Sequence, residues 1–553
     1  MKNRLTKYQL LCILFFVCMR ASSQSISLDM PQYEDMMRRE QLQGQLNPSI
    51  SFNIRPISIT TDKKADSSVY HYSVENRLFK SIVSTKWMKV SLLPLSTTQQ
   101  YVTHHPFMQN DGAMIPAVGY QHLISTGVYA SLGPISIQLK PQWVYAQNKN
   151  FQGFPKEHDD QAWATMYGFW NGIDLPEKFG NKAYQKYLPG NSSVRINFAG
   201  LSAGLSTENI WWGPAFQNAL ILSNHAQGFL HATINTQRPI QTTIGSFEAQ
   251  MIMGNLTASG FSPPSKYSTN PWWIKQSTGD RYINALIFSY SPKYVKGLSL
   301  GVTRVITMYE QVRKELGQHI VVFNNVARKN DSQNYDDIVR DQLASLFFRY
   351  FSVKHKFEVY TEWGRNDAFF NLRDFIQTAD HSQAYTIGFR KLMNIEKKDY
   401  QLLIESTHLQ RNAEFFIRAT PSWYQHRKAG GYTNNGEVLG AGIGPGSNMQ
   451  LIRFSKYNGI NQLAVQVERT AQNMDFYQEA FSGDQAATRK WVDYGISFIA
   501  DQAYKQFLFS AKITALRSLN YQWYQPPSSS SVAINNNWDV NNFLVQLGIT
   551  YRW

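Results

Sequence analysis

The sequence predicts a large antiparallel β-barrel that crosses a membrane with its strands, preceded by a short helical segment. Aromatic residues make up 14% of the chain and charged residues only 17%, while the mean hydropathy is −0.37. After the leader, no apolar run reaches the roughly eighteen residues that a membrane-spanning helix needs. Transmembrane barrels combine these features, because aromatic girdles flank the bilayer and alternating polar residues dilute the hydropathy. From composition alone, a large soluble β-sandwich or propeller stays open.

Residues 1–23 have the features of a secretory signal peptide. The basic residues that open it are Lys2, Arg4 and Lys7. An apolar run from Leu10 to Met19 follows, and the small residues Ala21-Ser22-Ser23 predict cleavage near Ser23. Both cysteines, Cys12 and Cys18, lie in this leader, so we expect a cysteine-free mature chain without a disulfide framework. Val17 before Cys18 does not suit a lipoprotein cleavage site, which argues against a lipid anchor.

Residues 24–63 are predicted to form an N-terminal helical segment on the periplasmic side. Proline suits the first turn of a helix over Pro31 to Leu46, with Glu34 and Asp35 near its start and Arg38-Arg39 further along. We expect this helix to pack against one end of the barrel. A frayed mature terminus is the alternative.

Residues 64–553 are predicted to form the barrel, because apolar residues recur with a period of two along most of this range. In the last strand the apolar positions are Phe543, Val545, Leu547, Ile549, Tyr551 and Trp553, and only Leu544 breaks the alternation. Similar runs begin at Ile135, Tyr282, Leu298 and Leu463. No change in composition divides the range, so one barrel is the economical interpretation. The amphipathic final strand with its terminal aromatic residue resembles those of outer-membrane barrels.

Long polar segments separate these strands. The clearest are Asn148–Asn191, Gly317–Asp341 and Ala429–Asn448, which are too long for tight turns. In barrels the long loops face outward and the short turns face the periplasm. Loops of this length are usually functional or fold inward, so we expect some of them to plug the pore. The tract Pro526–Ser531 is interpreted as a flexible loop tip.

Two motifs carry a family resemblance. The first runs from Ser206 through Glu208-Asn209-Ile210-Trp211-Trp212-Gly213-Pro214 to Ser223-Asn224-His225 and Arg238-Pro239, and the second runs from Gly431 to Asn448. Together with Arg38-Arg39 and Phe52-Asn53-Ile54-Arg55-Pro56, they resemble the capsule-assembly Wzi family across nearly all of the mature chain. The resemblance implies an outer-membrane barrel of about eighteen strands with an N-terminal helix, acting as a lectin for capsular or exopolysaccharide. One departure is Asn434-Asn435-Gly436-Glu437, where more basic character is expected, so the glycan preference of other members does not carry over.

Candidate glycan-binding residues combine aromatic faces for sugar rings with amides and charges for hydroxyl groups. They are Glu208, Asn209, Trp211, Trp212, Asn224, His225, Trp272, Trp273, Tyr432 and Asn448. The alternative is that the Trp211-Trp212 pair fills the lumen or a loop plug without touching sugar. For Tyr432 and Asn448, a loop folded back into the pore is favoured over direct contact.

Other functions receive less support from the sequence. Glu208 and Glu248 suggest a glycosidase pair only by composition, and Glu358, Glu362 and Glu405 are better explained as lining a polar lumen. No metal or cofactor motif is recognised, and the net charge of +15 is dispersed rather than gathered into a nucleic-acid-binding run. A porin-like or glycan-export channel and a surface-glycan or lipid-modifying enzyme remain alternatives. The expected partners are polysaccharide, outer-membrane lipid with lipopolysaccharide, the barrel-assembly machinery and polysaccharide export proteins.

Overall fold

Eighteen antiparallel strands close into a barrel in the computed structural model, which confirms the predicted fold class. The structure describes residues 23–60, 78–85, 87–261, 279–316, 319–323, 340–366, 372–412, 420–426, 429–481, 490–524 and 538–553. The strands are β1 (Met88–Val102), β2 (Gly119–Leu132), β3 (Ile135–Leu139 and Gln142–Ala146), β4 (Tyr184–Leu188 and Ser193–Phe198), β5 (Leu201–Ser206), β6 (His231–Thr236), β7 (Gly245–Leu256), β8 (Arg281–Pro292), β9 (Leu298–Tyr309), β10 (Asp341–Ser352), β11 (Phe357–Asn366), β12 (Gln383–Ile395), β13 (Lys398–His408), β14 (Asn448–Asn458), β15 (Asn461–Ala471), β16 (Val492–Tyr504), β17 (Phe507–Leu519) and β18 (Val540–Tyr551). Pairing of β18 with β1 and of β3 with β4 closes the sheet.

Two strands are each built from two pieces. Lys140-Pro141 interrupts β3, and Pro189-Gly190 interrupts β4. Proline has no N–H to donate to the ladder, so pairing stops at each break and resumes after it. Short flanking strands extend the sheet at one end, where Lys80–Ser84 pairs with β1 and Ile240–Gln241 pairs with β7.

The predicted period of two separates a lipid-facing surface from the lumen. In β15, Leu463, Val465 and Val467 are 63%, 40% and 52% exposed, while the alternate positions Gln462, Gln466 and Glu468 are buried inside. Leu544, which breaks the alternation in β18, points inward and is 5% exposed. Apolar side chains therefore cover the outside, as a bilayer requires.

The two ends of the barrel differ in their connections. Residues 133–134, 199–200, 396–397 and 459–460 form short turns at one end, which we call the periplasmic end because short turns face the periplasm in such barrels. The opposite, extracellular end carries the long loops. These contain the helices α2 (Asp160–Ile173), α3 (Glu310–Leu316), α4 (Leu372–Gln377) and α5 (Met474–Ala480).

Helix α1 (Pro31–Leu42) lies inside the lumen at the periplasmic end. Arg39 donates to the carbonyl of Gly459 in a periplasmic turn, and side chains on all sides of the helix are buried. The helix ends four residues before the predicted Leu46, because Gly44 takes a left-handed conformation with φ +77°. The segment Phe52–Pro56, part of the family resemblance, also lies in the lumen, where Ile54–Arg55 forms a short strand.

Several predicted features lie outside the described residues. They are residues 1–22 of the leader, the boundary between residues 63 and 64, Trp272-Trp273 and the tract Pro526–Ser531. Among the helices that the structure describes, none has the length and apolar character needed to cross a membrane.

Candidate functional site

The first motif forms an inward-folded loop, residues 207–230, which we call the first plug loop. Its two tryptophans form a short strand paired with the N-terminal segment, Trp211 opposite Arg55 and Trp212 opposite Ile54. Gly213 follows with φ +92°, a conformation that glycine adopts readily, and its N–H donates to the carbonyl of Asn53. The Trp-Trp-Gly-Pro turn therefore joins the loop to the chain that precedes the barrel.

Lumenal carboxylates hold the same loop from the barrel wall. Glu405 accepts hydrogen bonds from the backbone N–H groups of Phe216, Gln217 and Asn218, at 2.7 to 3.1 Å. Glu362 accepts another from Leu220 at 3.1 Å. The expectation that these glutamates line a polar lumen is correct, and their role is to satisfy loop backbone that would otherwise be buried without partners.

Glu208 anchors the beginning of the loop. Its carboxylate accepts from Arg195 at 2.8 Å, Ser206 at 3.0 Å, Gln138 at 3.1 Å and Ser25 at 2.5 Å. Burial raises the pKa of Glu208, but Arg195 and these hydrogen bonds lower it further, so the net pKa lies below the ordinary value. Glu208 is therefore an ionised group that binds protein partners. Glu248 is engaged separately, by the backbone N–H of Ser51.

The two tryptophans have different surroundings. Trp212 is 0% exposed, packs in the main core of the lumen and donates its indole N–H to Gln250 at 2.9 Å. Trp211 is stacked under the guanidinium of Arg55, 4.8 Å from the ring centroid, and lines a cavity. Its indole N–H has no hydrogen-bond partner among the described residues. Of the pair, only Trp211 lines the cavity, and its unpartnered indole nitrogen is itself buried.

The second motif meets the first inside the barrel. Its residues 429–447, which we call the second plug loop, place Tyr432 against Tyr424 in the main core, fully buried. Ser223 bonds to this loop twice, from its N–H to the carbonyl of Leu439 at 2.8 Å and from its hydroxyl to that of Gly440 at 2.6 Å. The two loops therefore close the lumen together, as the prediction of inward-folded loops requires.

Further predicted residues take part in the same packing. His225 is buried, and desolvation lowers its pKa to about 4, so it is neutral near pH 7. Asn448 begins β14 and donates to Gln410 at 2.8 Å. Asn434 and Glu437 are buried in a small hairpin, and burial raises the pKa of Glu437 well above its usual range. The segment Asn434-Asn435-Gly436-Glu437, which departs from the family pattern, therefore places Asn434 and Glu437 inside the lumen.

A cavity of about 280 Å³ lies beside the plug loops, in the middle of the lumen, and we call it the central cavity. Of the predicted site residues, the structure brings Asn209, Trp211 and Asn224 together on its wall. Asn209 donates to Asn224 at 2.8 Å, and Asn224 donates to the carbonyl of Asn110 at 2.8 Å. Trp212, His225, Tyr432 and Asn448 do not line it.

Helix α1 forms the periplasmic floor of the central cavity. Arg39 and Arg390 bind the carboxylate of Asp35 at 2.5 and 2.6 Å, and Arg38 binds Glu358 at 3.0 Å. Burial raises the pKa of Asp35, but the two arginines hold it well below its usual range. Arg38 also donates to the carbonyl of Pro214 at 3.0 Å, so the helix and the first plug loop are tied together.

An aromatic surface at the extracellular end was not singled out from the sequence. We call it the extracellular aromatic cluster; its members are His104, Phe154, His158, Trp170, Trp491, Tyr521, Trp523, Tyr524 and Trp538. Neighbouring rings lie 3.9 to 6.1 Å apart along it, from Trp538 through Tyr524, His158 and Phe154 to Trp170. Trp170, Trp491, Tyr524 and Trp538 are each partly exposed. The dense run Tyr521-Gln522-Trp523-Tyr524, followed by Trp538, was the available sequence signal.

Comparisons with known proteins identify the family. The model of the capsule assembly protein Wzi family matches residues 96–504, which is most of the chain and includes both motifs. The chain belongs to the Wzi family. It is similar in structure to Wzi from Escherichia coli, with a TM-score of 0.57 and 12% identity over 96% of this chain and 100% of that chain. That protein is described as an outer-membrane, carbohydrate-binding β-barrel involved in group 1 capsule assembly.

Other solved barrels are less similar to this Wzi-family chain. OprD from Pseudomonas aeruginosa gives a TM-score of 0.37 and 8% identity over 83% of this chain and 92% of that chain, and OccAB2 from Acinetobacter baumannii gives 0.39 and 9% over 83% and 97%. A comparison with curated proteins found no match. The family and the closed eighteen-stranded barrel place the protein in the outer membrane. Within the described residues, no group of acidic, histidine or cysteine side chains is arranged to hold a metal ion.

Proposed function

We propose that this Wzi-family barrel is a non-enzymatic lectin that binds capsular or exopolysaccharide at the cell surface and aids its attachment. The observation that carries the proposal is the extracellular aromatic cluster, which stands at the mouth of a lumen filled by the two plug loops. Partly exposed rings offer flat apolar faces to the C–H face of a sugar. A filled lumen suits a protein that holds a chain outside better than one that passes it through.

The residues predicted from the first motif have two proposed roles. Asn209, Trp211 and Asn224 are proposed to contact a sugar that reaches the central cavity, because they combine an aromatic ring, two amides and an unpartnered indole N–H. Glu208, Trp212, His225, Tyr432 and Asn448 are proposed to support them by fixing the plug loops. Lipopolysaccharide, the barrel-assembly machinery and polysaccharide export proteins are proposed further partners.

The proposal is tested by truncating the surface rings. Tyr524→Ala with Trp538→Ala removes two rings that lie 3.9 Å apart in the cluster. In a deletion strain carrying the variant, we expect polysaccharide to move from the cell-bound fraction to the medium, while the barrel still assembles. Tyr294→Ala is the matched control, because Tyr294 is 86% exposed in a turn at the periplasmic end.

Three results would contradict the proposal. If the double variant assembles correctly and still retains polysaccharide normally, the extracellular aromatic cluster does not bind the glycan. A steady open conductance of the unaltered protein in planar bilayers would favour the channel alternative. Shortening or deacylation of the host's polysaccharide by purified protein would favour the enzyme alternative.

A further inference from the structure

A second cavity, of about 460 Å³, lies in the lumen at the periplasmic end, and we call it the periplasmic cavity. One side is formed by lumenal side chains of β2 to β7, and the other by the N-terminal segment between Asn47 and Ile57. The turn at Ala199-Gly200 and the pair Arg238-Pro239 border it. Its volume falls within the ~300–1,000 Å³ typical of small-ligand sites.

Two sequence motifs meet at this cavity, and the proposed retention of polysaccharide at the cell surface uses neither of them. Phe52, Ile54 and Pro56 from the N-terminal segment line it together with Arg238-Pro239 from the connection after β6. These motifs lie on the opposite end of the barrel from the extracellular aromatic cluster. Their convergence on one cavity indicates a site of its own.

The polar lining consists mainly of amides and hydroxyls. It includes Gln138, Asn197, Ser202, Asn235 and Gln237. The hydroxyl of Ser202 is buried without a hydrogen-bond partner among the described residues, so the wall keeps free hydrogen-bonding capacity. Tyr129 and Phe52 add aromatic surface to the same lining.

The charges in the lining are largely compensated or exposed. Arg195 donates to Glu208 and to Asn235, each at 2.8 Å, which fixes its guanidinium and pairs its charge with a carboxylate. Glu248 contributes a carboxylate, and Arg238 is exposed beside Gly200 at the opening. The lining amides already bond to protein groups, Asn197 to Ser136 and Gln237 among them, so a ligand would use their remaining donors and acceptors. A phosphate would find only one uncommitted guanidinium.

We propose that the periplasmic cavity binds a saccharide, one or two hydroxyl-rich sugar units of a glycan on the periplasmic side, with Arg238 at its entrance. Amides and hydroxyls pair with sugar hydroxyls, and the aromatic surface takes the C–H face of the ring. The ligand class rests on the proposed function, but the site does not depend on retention at the cell surface. It would let the same barrel contact its glycan from both sides of the membrane.

The test uses single cysteines, since the only natural cysteines, Cys12 and Cys18, lie in the predicted leader. Arg238→Cys reports on the entrance, and Tyr294→Cys, in the exposed turn between β8 and β9, is the control on the same side. We expect a membrane-impermeant maleimide to label both only after the outer membrane is permeabilised. Because Arg238→Cys itself removes a proposed binding group, oligosaccharides released from the host's own polysaccharide are added at about ten times the concentration that the unaltered protein needs for binding. They should then slow labelling at position 238 and leave position 294 unchanged.

Binding is then measured directly on the purified full chain with the same oligosaccharides by titration calorimetry. Asn197→Leu and Arg238→Ala should each weaken binding by about tenfold, the scale of one lost hydrogen-bonding group. Because Arg238 is exposed, its variant tests the site even if Asn197→Leu fails to fold.

Several outcomes would overturn the periplasmic site. These are labelling at position 238 in intact cells, equal slowing at both positions or at neither, and unchanged affinity of Arg238→Ala. Loss of polysaccharide retention in the aromatic-cluster variants tests only the proposed surface lectin function. Protection at position 238 would stand even if those variants retain polysaccharide normally.

Discussion

Replacing Trp212 by alanine should open the lumen without preventing barrel assembly. Trp212 is fully buried in the main core, and truncating such a side chain costs about 3–5 kcal/mol. The change also leaves the carbonyl oxygen of Gln250 without its indole donor, which adds about 1–3 kcal/mol. The ladders of the barrel do not involve this side chain, so the loss falls on the first plug loop.

A loss of about 5 kcal/mol raises the ratio of open to closed plug by more than three orders of magnitude. We therefore expect frequent channel openings in planar bilayers and greater sensitivity of the 207–230 loop to protease. Heat-dependent migration in detergent gels should still report a folded barrel. Trp212→Phe keeps most of the packing and loses the hydrogen bond, so its effect should be smaller.

Trp211→Ala is the informative companion variant. It removes the stacking partner of Arg55 and an aromatic wall of the central cavity but leaves the main core intact. We expect it to reduce glycan binding with little change in conductance. If Trp212→Ala instead lost polysaccharide retention while remaining as closed as the unaltered protein, the assignment of Trp212 to the plug would be refuted.

Two further predictions concern pH and assembly. Burial lowers the pKa of His225 from 6.5 to about 4. Between these two pH values the unfolded segment binds more protons than the folded one. The first plug loop should therefore lose stability as the pH drops from about 6.5 toward 4. Protease resistance of the plug followed against pH should depend less steeply on pH in His225→Asn, and an unchanged slope would contradict the assignment. Deleting Trp553, whose indole donates to the carbonyl of Leu93 at 2.7 Å, should impair membrane assembly more than glycan binding. Normal levels of the truncated barrel in the outer membrane would count against this.

The fold could be predicted because the bilayer imposes its pattern on every strand. Residues such as Leu463 and Val465 must be apolar wherever the chain faces lipid, so a period of two appears locally. The lumen imposes no such pattern. Its polar side chains bond to residues far away in the chain. No pattern near Glu405 in the sequence predicts that its carboxylate accepts from the backbone of residues 216–218.

The candidate site was only partly predictable for the same reason. The structure brings Asn209, Trp211 and Asn224 of the first motif together at one cavity, but Trp211 and its neighbour Trp212 look alike in sequence and differ in surroundings. Strand pairing turns one ring toward Arg55 and the cavity and the other into the core. The extracellular aromatic cluster was missed because its rings come from four separate loops that only the closed barrel brings together.

The plug and helix α1 form one mechanical unit. Arg38 bonds to Pro214 in the first plug loop and to Glu358 on the wall, while Arg55 bonds to Glu34 of the helix at 2.6 Å and to the carbonyl of Gly213 at 2.5 Å. Because these charges are buried, removing one partner leaves the others uncompensated, which costs about 3–5 kcal/mol per broken pair. The loop therefore cannot leave the lumen without disturbing the helix. A barrel held shut from both ends is suited to holding a glycan on its faces, and the central and periplasmic cavities are the spaces that this shared packing leaves open.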